Sequence, residues 1–279
     1  MREPTEKRQI IQLTGKSAET KPDLLAVEEP LEIRLLHWKN SSQLSSSIAV
    51  TMRTPGSDEF LALGFLFSEG IITDARQVLS VRHVRVRNEL ASGNAVEVAL
   101  AQNVSIDFKK LQRHFYTSSS CGVCGKASIE AVQGAAACPV LPENFVINRT
   151  VLYKLCHILN ERQTIFRDTG GLHASALFDT DGNLLQLQED VGRHNALDKI
   201  IGYAFKNDLL PLSRNLLLVS GRTSFELVQK AAMAGISVLA AVGAPSSLAA
   251  QLAEETGLTL IGFLKNEKCN IYANPGRVE

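Results

Sequence analysis

Between Leu31 and Leu100 apolar and polar positions alternate in short runs. Leu31, Ile33 and Leu35 form one run and Ile48, Val50 and Met52 another, which predicts two half-buried strands. Pro55-Gly56 breaks the second. Ser57-Asp58-Glu59 then opens a predicted helix through Phe60, Leu63 and Phe67 that Gly70 stops. Val84 and Val86, followed by Val96 and Val98, predict a further strand pair around Asn88 to Asn94. From Phe115 to Pro142 regular periodicity fades. That stretch carries a small-residue run from Gly134 to Ala137 and two prolines, and reads as a loop or linker.

The second half has the longer rhythm of alternating strands and helices. Asn148 is placed to cap a helix with Val151, Leu155, Ile158 and Leu159 on one face. A hairpin follows: Ala174 to Phe178, the turn Asp181-Gly182-Asn183, then Leu184 to Leu187. Leu197, Ile200, Ile201 and Ala204 mark another helix. Leu216 to Ser220 is a continuous apolar run of the kind found in buried parallel strands. Thr223-Ser224-Phe225-Glu226 has the pattern of a capping box, opening a helix that Gly235 ends. Val238 to Val242 and Leu258 to Leu264 are strand-like, and between them Ser247 to Glu255 is helical, closing at Gly257. This order predicts an α/β protein with a mostly parallel sheet covered on both faces. The expected domains are a flexible tail over 1–25, a small α/β domain over 26–114, a loop over 115–142 and a second α/β domain over 143–279.

Composition narrows the classes. The 279 residues are 45% hydrophobic and 21% charged, with 29 basic and 29 acidic side chains. No global field draws such a chain to nucleic acid or anionic lipid, so any anion site must be local. No apolar run approaches the roughly 20 residues of a membrane span. Met1 to Lys21 is polar and mixed in charge, unlike a secretory signal. Five cysteines are an odd number for a disulfide scaffold, and a reducing cytoplasm fits best.

Against that background one tetrad carries the most chemistry: Cys121-Gly122-Val123-Cys124, after Ser118-Ser119-Ser120 and before Gly125-Lys126. A zinc knuckle needs four ligands, and Cys138, Cys156 and Cys269 stand singly with no histidine at partner spacing. A thioredoxin-type pair follows a strand and opens a helix near the start of a chain, whereas this one lies mid-chain among serines. What remains is a thiolate nucleophile on a loop, or two small structural residues. Gly and Ser flanks suit a thiol that visits two places, and a nearby Lys126 is the kind of group that lowers a thiolate pKa.

Four other stretches offer anion-binding groups. Glu189 to Lys199 is dense in polar residues where a helix begins; Arg193 and His194 there suit an anion site or simply a solvated first turn. Gly170-Gly171-Leu172-His173 precedes a strand, with His173 read as a ligand contact or a turn residue. Ser220-Gly221-Arg222-Thr223-Ser224 and Gly243-Ala244-Pro245-Ser246-Ser247 each join a strand to a helix, where open α/β sheets place their ligands. Neither is a Walker loop or a GxGxxG fingerprint.

Taken together, these residues resemble the formate dehydrogenase accessory sulfurtransferase (FdhD) family. The resemblance runs through Phe60 to Gly70, Cys121 to Gly125, Glu189 to Lys199, Ser220-Gly221-Arg222 with Glu226, Lys230 and Ala234-Gly235-Ile236, and Asn270-Ile271-Tyr272. It implies a sulfurtransferase that takes sulfur from a cysteine desulfurase and delivers it to the molybdenum bis(molybdopterin guanine dinucleotide) cofactor of formate dehydrogenase. It also implies a cytidine-deaminase-like C-terminal domain, without deaminase chemistry, and a homodimer. By the same likeness Cys121 is the persulfide-bearing residue and Cys124 its companion. Phe263, Leu264, Lys265, Asn266, Glu267 and Lys268 correspond to the cofactor-binding segment, where Glu267-Lys268 replaces the family's usual Gly-Arg. A non-catalytic cofactor-binding chaperone is the alternative. A zinc hydrolase or deaminase is disfavoured because His173 is followed by Ala174-Ser175 and the CxxC precedes the domain.

Overall fold

The structure, a computed structural model, describes residues 3–85, 93–104, 106, 145–265 and 267–279. Most of the stretch expected as a flexible tail over 1–25 forms a hairpin: β1 (Thr5–Thr14) pairs antiparallel with β2 (Ser17–Ala26). Gly15, at φ +59°, supplies the turn between them. One face of the hairpin carries Ile11, Leu13, Ala18, Pro22 and Leu24. The other sets Arg8 opposite Asp23 and Gln12 opposite Glu19. Charges of both signs interleave with that apolar set, which is why the stretch reads as a polar tail.

A four-stranded sheet follows, in the order β4-β3-β6-β5, from β3 (Glu29–Lys39), β4 (Ser42–Arg53), β5 (Val78–His83) and β6 (Ala95–Leu100). Of the strand pair expected from Val84 and Val86 with Val96 and Val98, Val84 donates its amide to the Ala95 carbonyl just past β5, and Val86 lies outside the described residues. The alternation Ile48–Val50–Met52 does not map onto one face. A bulge at Ile33/Arg34 adds Ile48 to the core and shifts the phase. Val50 is left 64% exposed, and Thr51 and Arg53 take the inward positions. Helix α1 (Asp58–Ser68) packs Leu61, Leu63 and Leu66 on that face with Leu31, Ile33, Val96 and Val98.

The second sheet runs β12-β11-β10-β9-β7-β8. Its centre is parallel: β9 (Leu216–Val219), β10 (Val238–Ala241) and β11 (Thr259–Lys265). Its flanks are antiparallel: β7 (His173–Phe178) with β8 (Leu184–Asp190) on one side, β12 (Lys268–Ala273) on the other. On one face lie α4 (Arg193–Lys206), α5 (Phe225–Met233) and α6 (Ser247–Thr256). Helix α2 (Arg149–Arg162), capped by Asn148 at Thr150 N, covers the other; short α3 (Thr164–Thr169) follows it. The result is a three-layer α/β/α unit.

The two sheets share a helix pair. Helices α1 and α4 touch backbone to backbone: a Cβ on Gly64 would lie 1.8 Å from the Asp198 carbonyl oxygen, and one on Gly202 1.8 Å from that of Phe60. No larger residue fits at either position without moving a helix. Among the described residues no helix is long and apolar enough to cross a membrane.

Candidate functional site

The parallel strands β9, β10 and β11 end at one edge, and their following turns are stitched together. Gly243 N donates to Gly221 O at 3.0 Å, Thr223 N to Ala244 O at 3.1 Å, Ser246 N to Thr223 O at 3.0 Å and Phe263 N to Gly243 O at 3.0 Å. Side chains at two positions would block this contact. A Cβ on Gly243 would come within 2.9 Å of Gly221 O, and one on Gly262 within 2.8 Å of Pro245 Cδ.

Because β7 runs antiparallel to β9, its first residue reaches the same edge. Ser220 N donates to Ala174 O, and Ala174 N to Ser220 Oγ, both at 2.9 Å. His173 thereby meets Gly221: a Cβ there would sit 3.2 Å from His173 Nδ1 and 3.9 Å from Arg193 Cδ. Strand β8, paired with β7, ends at Asp190 and turns into α4, which brings in Arg193 and His194. Three of the stretches singled out in the sequence (around His173, Arg193 and Gly221) therefore meet in one crevice, beside the fourth at Gly243.

The crevice favours negative partners. The first turns of α4 and α5 carry no side-chain cap, so their N–H groups remain as donors. Arg193 Nε and Thr223 Oγ1 are buried without a hydrogen-bond partner among the described residues, which marks groups awaiting one. His194 Nε2 lies 3.2 Å from Ser224 Oγ and 3.5 Å from Glu226 Oε2. Burial pushes the His194 pKa down to about 4 against the pull of Glu226, with Lys230, Arg193 and His173 adding to the fall. Burial, with Arg193 beside it, also lowers His173, opposed by Asp190. Both rings are therefore neutral near pH 7.

The capping box expected at Thr223-Ser224-Phe225-Glu226 does not form. Ser224 is the N-cap, but its hydroxyl faces His194, and Glu226 turns to His194 and Lys230. A buried ammonium outcompetes a helix amide for a carboxylate.

The N-terminal unit completes the floor. Asn195 Nδ2 donates to Met52 O at 2.7 Å, Thr54 N to Asp190 Oδ2 at 3.2 Å, and Lys199 Nζ to Thr54 O at 3.1 Å. These bonds join residues more than a hundred positions apart. Their only trace in the sequence is the polar density of Glu189 to Lys199.

Of the expected sulfur and cofactor residues, Cys121, Cys124 and Asn266 lie outside the described residues. Phe263 is 42% exposed and left-handed at φ +51°, on a bulge between Gly262 and Lys265 that turns its ring outward. Leu264 is buried, and its carbonyl accepts from Cys156 Sγ at 3.2 Å. Lys265 and Lys268 are exposed, and Glu267 is left-handed at φ +56°. No cluster of metal-binding side chains is present among the described residues.

A model of the FdhD/NarQ family matches residues 26–279. The chain belongs to that family. Proteins named sulfur carrier protein FdhD are similar along their whole length. The one from Streptomyces coelicolor is 50% identical over 98% of this chain and 95% of its own. That from Mycobacterium tuberculosis is 46% identical over 98% of each. The Saccharolobus solfataricus protein is 39% identical over 96% of each. A crystal structure from Desulfotalea psychrophila, assigned by name as a formate dehydrogenase accessory protein, shares the fold. Its TM-score is 0.75 at 20% identity, over 99% of this chain and all of that one. The hairpin before residue 26 is outside the family model but inside the matches to the curated relatives.

Proposed function

We propose that this protein is a cytoplasmic sulfur carrier in formate dehydrogenase maturation, working through a persulfide on Cys121. The full-length match to proteins named sulfur carriers, in a chain that holds the Cys121-Gly122-Val123-Cys124 tetrad, carries this reading. Thiolate Cys121 attacks the outer sulfur of a cysteine desulfurase persulfide. The new S–S bond forms on Cys121 and the desulfurase thiol leaves. Cys124 then attacks Cys121 Sγ, forming a disulfide and releasing hydrosulfide. At the molybdenum of the bis(molybdopterin guanine dinucleotide) cofactor, sulfide replaces an oxygen ligand that departs as water. A cellular dithiol restores the two cysteines.

The crevice suits the anionic ends of such a cargo. The uncapped turns of α4 and α5, the buried Arg193 Nε and Thr223 Oγ1, and the backbone turns at Gly221 and Gly243 are phosphate-binding groups. Phe263, whose amide donates to Gly243 O at 3.0 Å, adds an outward aromatic ring at that edge, and the exposed Lys265 and Lys268 follow it in the chain.

Intact-protein mass spectrometry after incubation with a desulfurase and cysteine tests the reading. We expect a gain of one sulfur atom in wild type, reversible by thiol reductant, and none in Cys121→Ala, which also fails to activate formate dehydrogenase. A wild type that gains no sulfur yet retains guanine nucleotide and apoenzyme binding would instead establish a cofactor-binding chaperone.

A further inference from the structure

Beneath the crevice runs a buried row of charged groups that binding an anion does not require. Ser68 Oγ donates to Asp198 Oδ1 at 2.9 Å. The Lys230 ammonium lies 2.8 Å from both Asp198 oxygens and 3.7 Å from Glu226 Oε1. Glu226 Oε2 faces His194 Nε2 at 3.5 Å. Burial works against the Lys230 charge, but Asp198, Glu226 and Glu69 hold its pKa above the ordinary lysine value. The row therefore holds one ammonium and two carboxylates. Asp198 takes up the ammonium with both oxygens, and Glu226 Oε2 is left buried without a hydrogen bond in the described residues.

Such an arrangement is poorly explained by stability, since well-packed apolar residues of similar volume often serve as well as a buried ion pair. It is well explained by the ring it faces. A carboxylate opposite one imidazole nitrogen selects the tautomer with the proton on that nitrogen. Ser224 Oγ, 3.2 Å from the same nitrogen, serves either tautomer as acceptor or donor, but the Nδ1–H form would set the Nε2 lone pair against the Glu226 charge at 3.5 Å. Because burial keeps the ring neutral, the tautomer decides which nitrogen can accept a proton or hydrogen bond. His194 is the second residue of α4, where the free N–H groups of the first turn also oppose an imidazolium.

We infer that Glu226, fixed by Lys230 and Asp198, is a positioning residue that locks His194 as the Nε2–H tautomer and leaves Nδ1 as the ring's hydrogen-bond acceptor. That the ring serves sulfur delivery rests on the sulfur-carrier reading; the tautomer does not.

Long-range proton–nitrogen NMR on the full-length ¹⁵N-labelled protein, with His194 assigned through His194→Gln, reads the tautomer directly. Wild type is expected to show Nε2–H alone. Glu226→Gln, whose amide can face the ring with oxygen or nitrogen, is expected to show both tautomers. Its activation of apo formate dehydrogenase should fall about tenfold, the scale of losing an outer hydrogen-bond partner, while sulfur loading of Cys121 is unchanged. Glu226→Asp should recover part of both. An Nδ1–H ring in wild type overturns the inference, even if Glu226→Gln does not fold. So does a Glu226→Gln protein that loses activation while keeping a single tautomer. If wild-type Cys121 takes up no sulfur, the carrier reading fails, and the tautomer shift still stands or falls on its own.

Discussion

Adjacent residues of α4, Asp198 and Lys199, each belong to a buried lysine–aspartate pair, and the two pairs are finished differently. Around Lys199 everything is saturated. Its ammonium contacts Asp190 Oδ2 at 2.7 Å and the Thr54 and Glu189 carbonyls, while Asp190 accepts from Thr54 N, Gly192 N and Asn195 Nδ2. Most of these partners are backbone, from the β4–α1 connection, the end of β8 and the start of α4. The Lys230–Asp198 pair instead leads through side chains to Glu226, whose outer oxygen has no hydrogen bond among the described residues. A saturated pair ties two units together; an unsaturated one beside a crevice marks where stability was left on the table for chemistry.

The contrast is sharpest for Lys199→Met. Removing the ammonium leaves Asp190, 0% exposed, as an uncompensated charge, so urea denaturation should show a loss of about 3–5 kcal/mol. A loss below about 1 kcal/mol would mean that the tie is not a tie. The next effect concerns acid. The folded pKa of His194 is about 4, below its ordinary 6.5. The unfolded chain thus binds the proton first, and the stability associated with the neutral ring is complete above pH 6.5 and lost as pH falls towards 4. Between pH 7 and 4 the wild type should therefore lose about 3 kcal/mol relative to His194→Gln. Comparing the two proteins isolates the ring from Asp198, whose pKa burial raises to about 6 against Lys230, an effect of opposite sign. Parallel unfolding curves at both pH values would refute the buried neutral ring. The smallest effect lies outside both pairs. Glu267 is left-handed at φ +56°, a conformation that favours glycine. Glu267→Gly should stabilise by about 0.5–1 kcal/mol, the relief of strain less the entropy of a freer unfolded chain. A destabilised variant would show that the acid has a partner worth more than its strain.

Local signals are legible in the sequence. The apolar runs at Leu216 and Val238, the Asn148 cap, the Asp181-Gly182-Asn183 turn and the glycine stops at Gly235 and Gly257 all sit where periodicity and capping put them. Signals that depend on distant partners are not. The bulge that exposes Val50 is a property of two paired strands, and no single strand announces it. Glu226 looks like a cap until Lys230 and His194 are folded against it. The crevice was legible as four separate polar stretches, because strand ends in such sheets converge. That His173 would join them depends on β7 running antiparallel to β9, which follows from pairing order rather than from any residue at that position.

The glycine crossing of α1 and α4 has a consequence for how the chain is made. Helix α1 completes its packing only against α4, and Phe205 of α4 belongs to the core of the first sheet. Synthesis delivers α4 about 140 residues after α1, roughly ten seconds later at ordinary ribosomal speed. Through that interval the Gly64 face of the nascent N-terminal unit has no partner helix, so translating this message faster, or pausing it before residue 206, changes how long that face stays uncovered.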